Sequence, residues 1–206
     1  MIDFFNHLQK KYFNKIQPDG ELLQIALKET TNDVNYHYKN CSESEVVNNI
    51  QLNGPYLSIF LYRLGVIYFS KNERESVLLI HGLLRNLCSC EFYFSTKIDV
   101  GFLPVHGLGS VIGSRSKIGS GFIIYQNCTI GHKGDGEDGP VIGDNVTLFP
   151  SGMILGNCKV GHMVTIAPGS EVLNDIDHSC IVSGNPATII GVNTIDKLKK
   201  YRPNFL

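Results

Sequence analysis

The chain has 206 residues, 43% apolar and 18% charged, a composition that builds a buried core and excludes a disordered chain. Its 18 Lys and Arg offset 19 Asp and Glu to a net charge of −1, so the electrostatic footprint of a nucleic-acid binder is missing. The longest apolar stretch, Pro55 to Phe69, is about fifteen residues and carries Arg63, short of the roughly 20 that span a membrane. Met1 to Lys10, with acidic Asp3, does not read as a secretory signal. A cytoplasmic protein with no membrane span is expected. Six cysteines, at 41, 88, 90, 128, 158 and 180, form no CxxC pair and no zinc-like spacing, which points to reduced thiols.

Residues 1–90 read as α-helical. Apolar residues recur at helical spacing, as in Leu57, Phe60, Leu61 and Leu64, and again in Val77, Ile80, Leu84 and Leu87. Asp19 is placed to cap a helix that starts near Gly20, and Ser42 with Glu45 has the spacing of a capping box. Loops are expected near Pro18, Asn53-Gly54-Pro55 and Lys71-Asn72. The helices have apolar residues on two sides, which predicts packing against one another or against a second subunit. No chemistry is evident in this part.

Beyond residue 110 the chain repeats. Ile112, Ile118, Ile124 and Ile130 are six apart, and after an interruption Ile142, Leu148, Ile154, Val160, Ile166 and Val172 continue the period. Two residues before each stands a residue that is small in most cases, Cys128 and Cys158 among them, and glycine follows the aliphatic position at 113, 119, 131, 143 and 161. Six is a multiple of the strand period of two and not of 3.6, so each hexad is a short extended segment and a corner. A unit this small cannot bury its own apolar side. Successive hexads must stack into a solenoid. In that frame Cys128 and Cys158 fill inward slots as small apolar groups.

The period fails twice. Ile98 and Pro104 are six apart, but Ile112 follows Pro104 by eight, so two extra residues bulge outward around Val105-His106-Gly107. Between Ile130 and Ile142 the aliphatic slot holds Gly136, and residues 132–139 are polar and glycine-rich, a protruding loop. Function in a solenoid is sought at such breaks, because the fold itself asks only for regularity.

The chain resembles the hexapeptide-repeat acyltransferases, in which three hexads make one triangular turn of a left-handed β-helix. From about Gly54 to Gly191 it is most similar to the serine acetyltransferase branch. The resemblance is carried by Tyr62-Arg63-Leu64-Gly65, Lys97-Ile98, His106, Gln126-Asn127-Cys128-Thr129-Ile130-Gly131, the loop, and Gly184-Asn185-Pro186-Ala187. It implies a helical region 1–90, a β-helix 91–191 with its loop at 132–139, and a C-terminal helix or tail 192–206. It also implies acetyl-CoA as co-substrate and no metal, with His106 the general base and Glu91, fifteen residues earlier, the carboxylate that orients it. CoA would lie against His132, Pro150, Thr165 and Pro168, between the subunits of a homotrimer or a dimer of trimers. The chemistry is consistent: a hydroxyl attacking a thioester needs its proton removed, which an imidazole near pKa 6.5 does well.

Several departures bear on the acceptor. The branch places Asp before the histidine and an Arg-His pair late in the loop to hold serine, whereas this chain has Val105, Asp138 and Gly139. An apolar residue cannot pair an ammonium, and Asp138 repels a carboxylate. Glu91-Phe92, Ser95-Thr96-Lys97-Ile98 and the loop ending Gly139-Pro140-Val141-Ile142-Gly143-Asp144-Asn145 look like the O-acetyltransferases of capsule, O-antigen and exopolysaccharide synthesis. A saccharide acceptor in surface-polysaccharide synthesis is therefore expected. The alternatives are serine O-acetylation and a non-catalytic β-helix that mediates assembly. His106, His132 and His162, separated by 26 and 30 residues, lack the close histidine pair of the zinc-binding γ-class carbonic anhydrases, which are also β-helices.

Overall fold

The computed structural model describes residues 1–11, 17, 19–52, 54–132, 134 and 138–201. Pro18 and Asn53, assigned to loops from the sequence, lie outside the described residues. Among the described residues, α1 (Ile2–Leu8), α2 (Gly20–His37), α3 (Glu43–Leu52), α4 (Gly54–Ser70) and α5 (Arg74–Cys88) precede the first strand. The Asp19 carboxylate accepts the amides of Glu21 and Leu22 at 2.9 and 3.3 Å. Ser42 and Glu45 close a reciprocal box: the Ser42 N–H donates to Glu45 Oε2 at 2.7 Å and the Glu45 N–H to Ser42 Oγ at 3.3 Å. Each cap satisfies amides that the first turn leaves open. The two-sided apolar character of α4 is explained by its place at the centre, with α2, α3, α5 and a strand of the solenoid around it. Ile59, Phe60, Leu61 and Leu64 are fully buried there. No described helix is long and apolar enough to cross a membrane.

The hexads form a parallel β-solenoid with one short strand on each of three faces per turn. The first turn is β1 (Glu91–Phe92), β2 (Lys97–Ile98) and β3 (Leu103–Pro104), and the second is β4 (Val111–Ile112), β5 (Lys117–Ile118) and β6 (Ile123–Ile124). Then follow β7 (Thr129–Gly131), β8 (Val141–Ile142), β9 (Thr147–Leu148), β10 (Met153–Leu155), β11 (Lys159–Val160) and β12 (Thr165–Ile166). β13 (Glu171–Val172), β14 (Cys180–Gly184), an antiparallel β15 (Ala187–Val192) and α6 (Ile195–Tyr201) end it. The three faces are the sheets β1-β4-β7-β10-β13, β2-β5-β8-β11 and β3-β6-β9-β12-β14-β15.

The register measures the irregularities directly. Regular turns pair residues eighteen apart, three hexads, as in Val111 with Thr129 and Met153 with Glu171. Pairs that enclose the bulge at His106 are twenty apart, as in Leu103 with Ile123, and pairs that enclose the loop are twenty-four apart, as in Lys117 with Val141. The two breaks thus add two and six residues without disturbing the stacking. Ile112, Ile118, Ile124, Ile130, Ile142, Leu148, Ile154, Val160, Ile166 and Val172 all point inward and are buried, and Cys128 and Cys158 fill inward slots as expected. The corner glycines are required by close approach more than by dihedral angle: a Cβ at Gly143 would stand 2.9 Å from the backbone of Gly161, and one at Gly161 would stand 2.6 Å from the amide of His178.

The helical part is more than a cap. Asp33 on α2 and Arg63 on α4, both buried, form a forked pair, with Arg63 Nε and NH2 each 2.7 Å from a carboxylate oxygen. Arg63 also donates to the carbonyls of Ile98 and Asp99 at 2.7 and 2.9 Å, and Asp33 Oδ1 accepts the amides of Gly101 and Phe102 at 2.7 and 3.1 Å. Burial pushes the Asp33 carboxyl above its ordinary value, and the guanidinium and the two amides work against that shift. The helices thereby grip the first turn, which carries His106, at its second corner.

Candidate active site

The eight-residue step from Pro104 to Ile112 is accommodated by Gly107 and Gly109, both with φ of +70°, a conformation that glycine adopts without strain. The Gly109 N–H donates to the Ser89 carbonyl at 2.7 Å, which ties the bulge to the end of α5. His106 is therefore held off the packed wall, exposed, at the corner that follows β3. Tyr125, one residue past the paired Ile124 on the next turn, sets its ring edge-on to the imidazole at 6.1 Å, and Phe149 stacks on Tyr125 at 4.9 Å. Gln126, which follows Ile124 as His106 follows Pro104, has a buried Oε1 without a hydrogen-bond partner among the described residues. An orphaned acceptor costs stability in the free protein and is expected where a ligand supplies the donor. Tyr125 is absent from the sequence-based site, since nothing in a hexad distinguishes an outward tyrosine that meets the histidine from any other.

Beneath His106, between the helices and the first turn, lies a cavity of about 530 Å³, within the range of small-molecule sites. Tyr38, Tyr56, Cys88, Cys90 and Val105 line it with His106. No carboxylate, lysine or arginine is among the described lining residues.

Glu91 stands elsewhere. Its carboxylate lies 3.6 Å from His81 Nε2 and 3.9 Å from Arg85 Nε, both on α5, and among the described residues no hydrogen bond or ion pair joins it to His106. Residue 91 is on the first face of the turn and His106 on the corner after the third, so the outward side chain of β1 meets α5 instead. Burial beside Arg85 depresses the His81 pKa, and Glu91 opposes that shift. His81 Nε2 is itself buried with no hydrogen-bond partner among the described residues.

The residues expected to hold CoA divide between two corners. Pro150 and Pro168 share the His106 corner on later turns, where the Gly169 N–H donates to the Pro150 carbonyl at 2.9 Å. Thr165, on β12, is buried and its Oγ1 accepts from Asn193 Nδ2 at 2.9 Å. His132 lies at a different corner, after β7. There its Nε2 accepts from Arg115 NH2 at 2.7 Å and its Nδ1–H donates to the Gly134 carbonyl at 2.7 Å, an arrangement that requires the neutral ring. His162 is an exposed corner residue that accepts the Asp144 N–H at Nδ1 and stacks on His178. Of the loop, Lys133, Asp135, Gly136 and Glu137 lie outside the described residues. Asp138 is exposed, and at Gly139 a Cβ would stand 3.0 Å from the backbone of Arg115 and of Ser116, a close approach that favours glycine.

No family model matches the chain. It is 33% identical over 138 residues to serine acetyltransferase 4 of Arabidopsis thaliana, covering 66% of this chain and 39% of that protein. To the serine acetyltransferase of Staphylococcus epidermidis it is 36% identical over 123 residues, 58% of each chain. The chain thus spans about half the length of the curated relatives it matches. Among solved structures, the serine acetyltransferase of Vibrio cholerae superposes with a TM-score of 0.72 at 25% identity, over 87% of this chain and 69% of that one. The soybean serine acetyltransferase complexed with serine superposes with a TM-score of 0.70 at 26% identity, over 82% and 70%. These similarities overturn the polysaccharide O-acetyltransferase expectation, which rested on Val105, Asp138 and Gly139 and on the patterns around Glu91-Phe92, Ser95-Thr96-Lys97-Ile98 and the end of the loop. Those are short stretches of sequence, whereas the superposition on the Vibrio cholerae enzyme extends over 87% of this chain.

Proposed function

We propose that this chain, a hexapeptide-repeat β-helix of the acyltransferase kind, transfers acetyl from acetyl-CoA to the hydroxyl of L-serine. The observation that carries the reading is His106, projected by a two-residue bulge over the cavity in a chain that superposes on serine acetyltransferases through most of its length. In this reading the imidazole takes the proton of the acceptor hydroxyl as its oxygen attacks the thioester carbonyl. The Tyr125 ring limits how the imidazole can tilt, and the Gln126 amide oxygen accepts an N–H of bound acceptor or pantetheine. Glu91 supports the base only at a distance, through the end of α5. CoA runs along the His106 corner past Pro150 and Pro168, while Thr165, buried under Asn193, supports that corner from β12.

The charges of serine need partners that the described cavity lining lacks. A homotrimer supplies them in this proposal: the loop corner of a neighbouring copy, with Arg115 and His132, faces the His106 corner, and the Arg115 guanidinium receives the acceptor carboxylate. Such a site is shared between copies. A dimer of trimers through the helical part is compatible with it.

The test is purified protein with acetyl-CoA and L-serine, with sugars in parallel, read as free CoA thiol and as O-acetylserine by mass. Expected is serine-dependent thiol release from a trimer. Release no faster than thioester hydrolysis without acceptor, from protein that sediments as a folded trimer, overturns the serine assignment.

A further inference from the structure

Acetyl transfer to serine leaves most of the cavity under His106 without an occupant. The cavity measures about 530 Å³, whereas an acetyl group adds a single methyl beyond its carbonyl carbon. Its wall is apolar. Leu103, the outward residue of β3, is buried beneath α4, and the rings of Tyr38 and Tyr56 are half-buried against the same core. Burial pushes both phenols above their ordinary value. The Ser58 hydroxyl, on the same wall, donates to the Pro55 carbonyl at 2.7 Å within α4. Where the wall reaches the surface, Leu87 and Leu108 are 43% and 56% exposed, apolar area that an apolar ligand would remove from water. The ammonium and carboxylate of serine cannot rest unpaired against such a wall.

We propose that the cavity receives the acyl chain of CoA thioesters longer than acetyl, from butyryl to octanoyl, and that the protein transfers these groups as well as acetyl. The proposal rests on the serine reading for its acceptor. Three groups diverge from the reacting carbon: the sulfur, the attacking oxygen and the acyl chain. CoA takes the outer corner along Pro150 and Pro168, and the charges of serine are drawn outward to a neighbouring copy. The direction that is left runs inward from His106, and there the neutral wall offers an alkyl chain what it denies an ion. In the transfer, the serine oxygen bonds to the acyl carbon as His106 takes its proton. The carbon–sulfur bond then breaks, and His106 returns the proton to the departing CoA sulfur. No further reactant is required.

The experiment is calorimetry of the full-length protein with CoA, acetyl-CoA, butyryl-CoA and hexanoyl-CoA in the absence of serine. Expected is a Kd that falls by about fourfold for each methylene that leaves water, so that hexanoyl-CoA binds at least about tenfold more tightly than acetyl-CoA. Gly54, the first residue of α4, also lines the cavity, and a Cβ there would meet no heavy atom within 4 Å. Gly54→Leu should therefore fold and should cut the gain from acetyl to hexanoyl to less than about threefold, with the affinity for CoA itself as the control. Equal or weaker binding of hexanoyl-CoA than of acetyl-CoA by the wild type overturns the proposal, as does a length dependence that Gly54→Leu leaves intact. A second arm adds serine and reads the product by mass. O-Hexanoylserine is expected beside O-acetylserine, and its absence where O-acetylserine forms overturns the transfer of longer groups. Absence of both products, with the length-dependent affinity intact, rejects serine as acceptor and leaves the acyl pocket standing.

Discussion

The Glu91 carboxylate lies 3.6 Å from Nε2 of His81 on α5 and is not joined to His106 by any hydrogen bond or ion pair among the described residues. A carboxylate that fixes the tautomer of a catalytic histidine must touch its ring. Glu91→Gln is therefore expected to lower kcat/KM by less than about tenfold, a loss below the usual worth of a positioned acid–base group. Steady-state kinetics with serine and acetyl-CoA check this, and a loss as large as that of a His106 variant would require the two side chains to meet in the complex.

His106→Ala is expected to keep the oligomeric state and the affinity for CoA while reducing kcat by about two to four orders of magnitude. Its ring is exposed and contributes little to the core, so a large loss of activity with an unchanged melting temperature separates catalysis from folding. Wild-type turnover in this variant would reduce the bulge to a structural irregularity.

Gln126 makes the opposite pair of changes informative. Its Oε1 is buried and has no hydrogen-bond partner among the described residues, so replacing the amide by an apolar group of similar shape is close to neutral or stabilising. Gln126→Leu should therefore keep or raise the melting temperature and raise a Michaelis constant by about tenfold, the worth of one lost hydrogen bond of about 1.4 kcal/mol. Calorimetry and kinetics on the same preparation read both.

Asp33 and Arg63 set a stability prediction. Asp33→Ala leaves the guanidinium buried with only two carbonyl partners and frees the amides of Gly101 and Phe102. Removing one member of a buried pair costs about 3 to 5 kcal/mol, which denaturant unfolding will register. The double variant Asp33→Leu, Arg63→Met should recover part of this loss, because it leaves no unpaired charge.

His81 carries the pH dependence. Burial lowers its pKa in the folded protein, so the folded chain binds its proton less readily than the unfolded chain. Its stabilising contribution is full above the unfolded value of about 6.5 and is lost as the pH falls from there through the lower folded value. The groups that face it are Glu91, which opposes the shift, and Arg85, which adds to it, with the rings of Tyr93 and Phe94 packed alongside. His81→Leu should shrink the drop in melting temperature between about pH 7.5 and pH 5.5. An unchanged drop would assign the acid sensitivity to another group.

Spacing alone determined the solenoid, because an inward aliphatic residue every sixth position leaves one way to bury ten such residues, and the two failures of that period located the bulge at His106 and the loop. The helix caps at Asp19 and Ser42 were legible for the same reason, since each is a contact within a few residues of the chain. Contacts across the turn were not. Whether Glu91 meets His106 or His81, and whether Arg63 ends on a surface or in a buried fork with Asp33, 30 residues away, depends on which face of α5 or α2 docks on the first turn, and that is decided by tertiary packing. The saccharide acceptor read from Val105 and Asp138 was overturned by the similarity to serine acetyltransferases. A solenoid presents separate corners to solvent, so a residue's neighbours in the site are set by stacked turns and by the helices laid against them, neither of which is encoded in the spacing of one strand of residues.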